Sequence, residues 1–254
     1  SRVKAICLVR PAPSESVRVT MMPLSTRNRS SPCAMMSTIA LPTAGTTWRV
    51  GDPITFSGSA TDPDEGALAA SALAWELVLQ RCEPTCVAQS LGTWDGVTGA
   101  STTAPMAQYP SYLELKLTAR DAQGLTTTVT RRLDPQTVAV TVASTPPGLQ
   151  LTLGGTTATA PFTTTMIVGS TATVNAPSPQ VLGGTGYTFT GWSDNGAQSH
   201  TLLAPATATT LTASFGLSAC PVGQYFAEYF SNIDVAGPAT LSRCEAAPLD
   251  HDFG

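Results

Sequence analysis

Residues 112–121 read YLELKLTARD, and their side chains alternate without a break: Leu113, Leu115, Leu117 and Ala119 on one side, Glu114, Lys116, Thr118 and Arg120 on the other. Period-two alternation marks a strand with one face buried and one face wet, because successive side chains point to opposite sides of a sheet. Half-buried strands belong to antiparallel sheets, whose hairpin connections leave one face open to water. Outward from this stretch, PITFSGSA (53–60) sets Ile54, Phe56, Gly58 and Ala60 against Thr55, Ser57 and Ser59. LAWELVL (73–79) aligns Leu73, Trp75, Leu77 and Leu79, while TTVTRRL (127–133) and TVAVTVA (137–143) read as two more strands. The prolines of STPPGL (144–149) place a boundary near Pro146.

Composition supports the same class. Charged residues make up 12% of the 254, and threonine takes roughly one position in seven. Threonine is stiff at χ1 and favours strands, and 21 Gly with 20 Pro supply the turns between them. The expectation is a mainly β chain with two small antiparallel β-sandwich-like (immunoglobulin-like) domains and an incomplete third β-module. A formal net charge of -4 gives no basic stripe for phosphates, so no nucleic-acid partner is expected. No apolar run reaches the roughly 18 residues of a membrane span, and a secretion signal is expected upstream.

Residues 1–38 differ in style from the rest. They hold Arg2, Lys4, Arg10, Arg18, Arg27 and Arg29, four of the six Met, and Glu15 as their only acid. No period runs through them, so they read as a disordered or non-native leader, with a basic arm as the alternative. The ordered strand signals then define a first domain over 39–145. A second domain, 146–217, comprises LQLTLGG, TTTMIVG, TATVNAP, YTFTGWSDNG, SHTLLAP and TTLTASF, separated by Gly, Pro or Asn turns. Strict alternation puts Tyr187 and Phe189 on one face and Trp192 on the other; a bulge at Gly191 is the alternative that would bring Trp192 back to the core. Residues 218–254 open a further module.

Six cysteines stand at 7, 33, 82, 86, 220 and 244, in no four-ligand zinc spacing. Cys82 and Cys86 flank EPT at a hairpin turn, and Cys220 with Cys244 brackets the last module. Both pairs are expected to form disulfides, which places the chain outside the cytosol, extracellular or on the cell surface; buried free thiols are the alternative.

Several of these stretches resemble known families. VGDPITFSGSATDPDEGALAASALAWELVL with LELKLTARDAQGLTTTVTRRL resembles the polycystic-kidney-disease-type (PKD) immunoglobulin-like domains of secreted bacterial proteins. With LQRCEPTC, WDGVTGAS and YPSYLELKL added, it looks like the region after the catalytic propeller of bacterial glucose/sorbosone dehydrogenases. The histidines that cluster there in such relatives are replaced by Arg81, Val87, Gln89 and Ala107, so a metal role of that cluster does not carry over. GWSDNG and TLTASF resemble divergent internalin-type B repeats. GQYFAEYFSNIDVAGPATLSRCEAAPLDHDFG is similar to the truncated start of an anthrax protective-antigen-type domain. Together the resemblances imply a noncatalytic accessory region of a secreted carbohydrate-active protein, attached to further domains and serving as spacer or as a binder of glycans or cell-surface polymers. The alternatives they imply are a C-terminal fragment of a quinone-dependent sugar dehydrogenase lacking its propeller, and a cell-surface adhesion module.

Candidate site residues are few. Asp62, Asp64 and Glu65 in DPDEG, with Asp121 in a later strand-turn, offer hard oxygen ligands suited to calcium. The competing reading is a polar turn in which Asp caps the backbone and Pro63 and Gly66 set the geometry. Trp192 and Tyr187 are candidates for stacking against sugars, with Trp48, Trp75, Trp94, Tyr109 and Tyr112 as further aromatics. No neighbouring Cys or acid pair gives His200 or His251 a plausible ligand set or triad partner, DFG (252–254) lacks the other kinase motifs, and GGTGYTF precedes a strand rather than a helix. No catalytic residue and no organic cofactor are assigned.

Overall fold

The computed structural model of the protein describes residues 35–218, 224–231 and 241–246. Its strands divide between two units: residues up to Trp48 with Pro53–Thr103 and Pro110–Asp134, and Arg49–Asp52 with Ala104–Tyr109 and the chain from Pro135 onward. The fold is mainly β, as the alternation predicts.

The first unit contains β1 (Met36–Leu41), β2 (Thr47–Trp48), β3 (Pro53–Asp62), β4 (Gly66–Ala67), β5 (Leu73–Cys82), β6 (Cys86–Asp95), β7 (Gly99–Thr103), β8 (Ser111–Arg120) and β9 (Thr126–Pro135). In one sheet β3 pairs antiparallel with β1, β4 and β7; the other runs β2-β9-β8-β5-β6. The register matches Leu79 with Leu113, Leu77 with Leu115, Trp75 with Leu117 and Leu73 with Ala119, so two alternating runs lie side by side on one face. All four β8 residues of that face are fully buried. The sheets meet where Phe56 of β3 approaches Trp75 of β5 at 4.9 Å between ring centroids. Gly58 fits this close approach because a Cβ there would lie 2.9 Å from atoms of both Trp75 and Leu117. On the wet face Lys116 lies 3.5 Å from Glu76 and 3.6 Å from Glu114. β1 begins at Met36 and pairs with Thr61, so residues 36–38, assigned by sequence to the leader, belong to the sheet. Of the remainder of the leader, Met35 is buried and residues 1–34 lie outside the described residues.

The second unit contains β10 (Thr137–Thr145), β11 (Gln150–Leu153), β12 (Thr156–Thr159), β13 (Phe162–Ile167), β14 (Thr171–Asn175), β15 (Gln180–Leu182), β16 (Thr185–Trp192), β17 (Ser199–Leu203) and β18 (Thr209–Leu217). One sheet has the order β13-β10-β18-β16-β15 and the other β12-β11-β14-β17. Pairing is antiparallel except between β10 and β18, which run parallel, a departure from the all-antiparallel expectation. The boundary also differs from the one read at Pro146. TVAVTVA forms β10, seated between β13 and β18, and its Val138, Val140 and Val142 pack in one core with Leu149, Leu151 and Val174. The STPPGL prolines mark the turn from β10 into β11, within the second unit.

Threonine recurs at outward positions of both units. Hydroxyl pairs bridge neighbouring strands at Thr118–Thr128, Thr141–Thr163 and Thr152–Thr157, at 2.9, 2.8 and 2.8 Å. Such cross-strand pairs stabilise a sheet without charge. Within 218–254, β19 (Gln224–Tyr229) and β20 (Leu241–Ala246) form an antiparallel pair. Among the described residues no helix is long and apolar enough to cross a membrane.

Candidate functional site

The DPDEG turn between β3 and β4 and the turn after β8 come together at one end of the first unit. Asp62 Oδ1 accepts from the backbone N–H groups of Asp64 (2.8 Å) and Glu65 (3.1 Å), so its carboxylate closes its own turn. Glu65 reaches across to the β8–β9 connection, where Oε1 accepts from the Ala122 N–H at 3.1 Å. Asp121 is 7% exposed and its Oδ1 accepts from the Leu125 N–H at 2.7 Å. Three of the four carboxylates expected to hold calcium, those of Asp62, Glu65 and Asp121, thus act as acceptors for backbone amides, while Asp64 takes part through its backbone N–H; among the described residues no group of three or more His, Cys, Asp or Glu is placed to hold a metal ion. The capping reading describes this turn.

Beside it lies an open cleft of about 420 Å³, whose walls include Glu65, Leu68, Ser71, Ala72, Arg120 and Ala122. Ser71 belongs to a short 3-10 turn, Ala70–Ala72, that leads into β5. Arg120, the last residue of β8, pairs with Thr126 in the ladder to β9, but its side chain makes no hydrogen bond or ion pair among the described residues. Its guanidinium folds back over the following turn, where a Cβ on Gly124 would lie 3.3 Å from Nη2. The alternation placed Arg120 on the wet face of its strand but gave no sign of a cleft, since the cleft joins residues 65–72 to residues 120–122, about fifty positions apart in sequence.

The second polar cluster is GWSDNGAQSH, residues 191–200. The ladder between β16 and β18 shifts register between Phe189 and Gly191, and past this bulge Trp192 faces inward at 4% exposure. Its indole Nε1 donates to the Gln198 carbonyl at 3.1 Å. Trp192 is therefore a core residue with a satisfied polar atom, not an exposed sugar platform, and Tyr187 packs half-buried against the same core. Asp194 closes the turn by accepting from the Gly196 N–H at 2.9 Å, and Asn195 takes the left-handed conformation with φ 62°.

His200 does have an acidic neighbour, six residues back around this turn. Its Nε2 lies 3.0 Å from Asp194 Oδ2 and its Nδ1 2.7 Å from the Ala197 carbonyl oxygen. A neutral ring satisfies one of these contacts with its single N–H; the imidazolium satisfies both. Burial pushes the Asp194 carboxyl upward, but hydrogen bonds from Gly196 and His200 together with the His200 charge outweigh it and hold the carboxyl below its ordinary value. With both imidazole nitrogens engaged, the pair fixes the loop rather than activating a nucleophile. His251 lies outside the described residues, as does DFG.

The remaining candidates resolve as follows. Trp48 and Trp75 are buried, donating to the carbonyls of Leu133 and Val97, and Trp94 packs edge-on against Phe56. Tyr112 is half-buried beneath Arg132, whose guanidinium lies 3.8 Å from the ring centroid, and Tyr109 is 49% exposed. Cys82 and Cys86 form a disulfide across the β5–β6 turn. Cys244 is also disulfide-bonded, and its expected partner Cys220 lies outside the described residues. Compared with protein-family models, curated proteins and solved structures, the chain matches none. The family resemblances rest on the quoted residues alone.

Proposed function

We propose that the chain is a noncatalytic, extracellular accessory region of a secreted carbohydrate-active protein, combining a spacer role with binding to glycans or cell-surface polymers. The observation that carries this reading is the use made of the polar side chains. Threonine hydroxyls bridge strands on outward faces of both units, and the Asp, Glu and His side chains most suited to chemistry are tied to the turns that hold the sheets. Uncharged hydroxyl-bearing surfaces suit contact with neutral polymers, and the Cys82–Cys86 bridge fits an oxidising compartment.

The test uses the full chain. Thermal unfolding is followed against a panel of soluble glycans, with retention on insoluble polysaccharides measured in parallel. Binding at ten times the dissociation constant should raise the melting temperature by about 2–5 °C. Turnover of a panel glycan would overturn the noncatalytic half; no shift and no retention would overturn the binding half.

A further inference from the structure

We propose that the cleft between the DPDEG turn and the end of β8 binds one neutral hexose unit through a vicinal diol, with Glu65 accepting from one hydroxyl and Arg120 donating to the pair. The inference rests on the glycan-binding half of the proposed function and assigns it a site. A volume of about 420 Å³ falls within the usual range for small-molecule sites, roughly 300–1,000 Å³.

The charge inventory selects the ligand class. Arg120 contributes one cation with no partner among the described residues, against the carboxylates of Glu65 and Asp121. With two carboxylates to one guanidinium the walls disfavour an anion. They still require a ligand that both donates and accepts over a short span. A vicinal diol does this, since each hydroxyl carries one O–H donor and two acceptor lone pairs, and the planar guanidinium presents parallel N–H groups to adjacent oxygens. A nucleobase also donates and accepts, but no aromatic ring lines the cleft to stack on it. The methyl groups of Leu68, Ala72 and Ala122 instead offer small apolar contacts to the C–H side of a sugar ring.

The Glu65 wall is set before a ligand arrives, whereas Arg120 is exposed and unpaired among the described residues and orders on binding. Glu65 is anchored through one oxygen by the Ala122 N–H, leaving the other for the ligand, and its turn is closed by Asp62. Arg120 lies over Gly124, whose φ of +87° and missing side chain leave room for the guanidinium. Groups held in place lose less freedom on binding, which is how a shallow site gains affinity.

The experiment follows the Ala122 backbone amide by NMR as methyl β-glucoside, methyl α-mannoside and methyl β-galactoside are added to the full chain. At least one should give a saturable shift, and Arg120→Gln and Glu65→Gln should each weaken it about tenfold or more, the effect of losing a hydrogen bond to a charged group. Glu65→Gln keeps a carbonyl oxygen for the Ala122 N–H, and Arg120 is exposed, so both variants should unfold at the wild-type temperature. If sugars bind but neither variant weakens them, this site is overturned and the glycan-binding reading stands. If inorganic phosphate or methyl glucuronide shifts Ala122 more strongly than the neutral glycosides, the site is an anion site and the diol assignment fails. If no glycan in either this titration or the polymer panel binds, the reading beneath it fails as well.

Discussion

Gly196 carries no side chain because His200 occupies the place where one would go. A Cβ at position 196 would lie 2.5, 2.6 and 2.7 Å from three atoms of the imidazole ring, and both ring nitrogens are already held by Asp194 and Ala197. The ring also sits edge-on to Trp192, at 5.9 Å between centroids, so moving it disturbs a buried indole. Gly196→Ala should therefore destabilise the second unit by about 1–3 kcal/mol, the usual cost of forcing volume into a packed site. His200→Ala removes the obstruction, so the double variant should lose less than the sum of the two single losses. Urea unfolding of the four proteins measures the coupling; additive losses would show that the ring and Gly196 do not share the space.

Among the elements, the β5–β6 hairpin joins local chemistry to sheet order most directly. Its register pairs Cys82 with Cys86, and the disulfide there closes the five-residue turn around EPT. The burial of Leu73 and Trp75, both at 2% or less, holds the opposite end of β5 in the sheet. A bridge across so short a loop removes little chain entropy from the unfolded state, about 2 kcal/mol by the loop-closure estimate. Replacing both cysteines, Cys82→Ser with Cys86→Ser, should lower the stability of the first unit by up to that amount and leave the strand content of the circular dichroism spectrum unchanged. A collapse of the spectrum would mean that the bridge sets the hairpin register. This pairing was legible in the sequence because a turn and two thiols stand within five residues. The bulge that returns Trp192 to the core was legible for a similar reason, since the aromatic positions of β16 break alternation at a glycine.

At the scale of the molecule, what escaped the sequence is what depends on distant partners. The inward faces of β5 and β8 could be read from alternation alone, but Arg120 gained its cleft only when β3, β4 and the turn after β8 met. His200 found Asp194 through a loop conformation that includes a left-handed Asn195. The boundary moved for the same kind of reason: two prolines after Ser144 suggest an end, but side-chain burial decides which core a strand joins. β10 lies between β13 and β18 and supplies Val138, Val140 and Val142, at 5%, 0% and 0% exposure. Burying a valine contributes about 1.5 kcal/mol or more, so losing three approaches the whole stability of a small domain, about 5–15 kcal/mol. Two fragments test this. One begins at Pro135 and keeps β10; the other begins at Pro146 and lacks it, leaving β13 and β18 without their shared neighbour. Both lack Arg49–Asp52 and Ala104–Tyr109 equally, so the comparison isolates the strand. The longer fragment should unfold at distinctly higher urea, and the shorter should show a weak or absent cooperative transition. Equal midpoints would return the boundary to Pro146 and make β10 a linker rather than a structural strand of the second core.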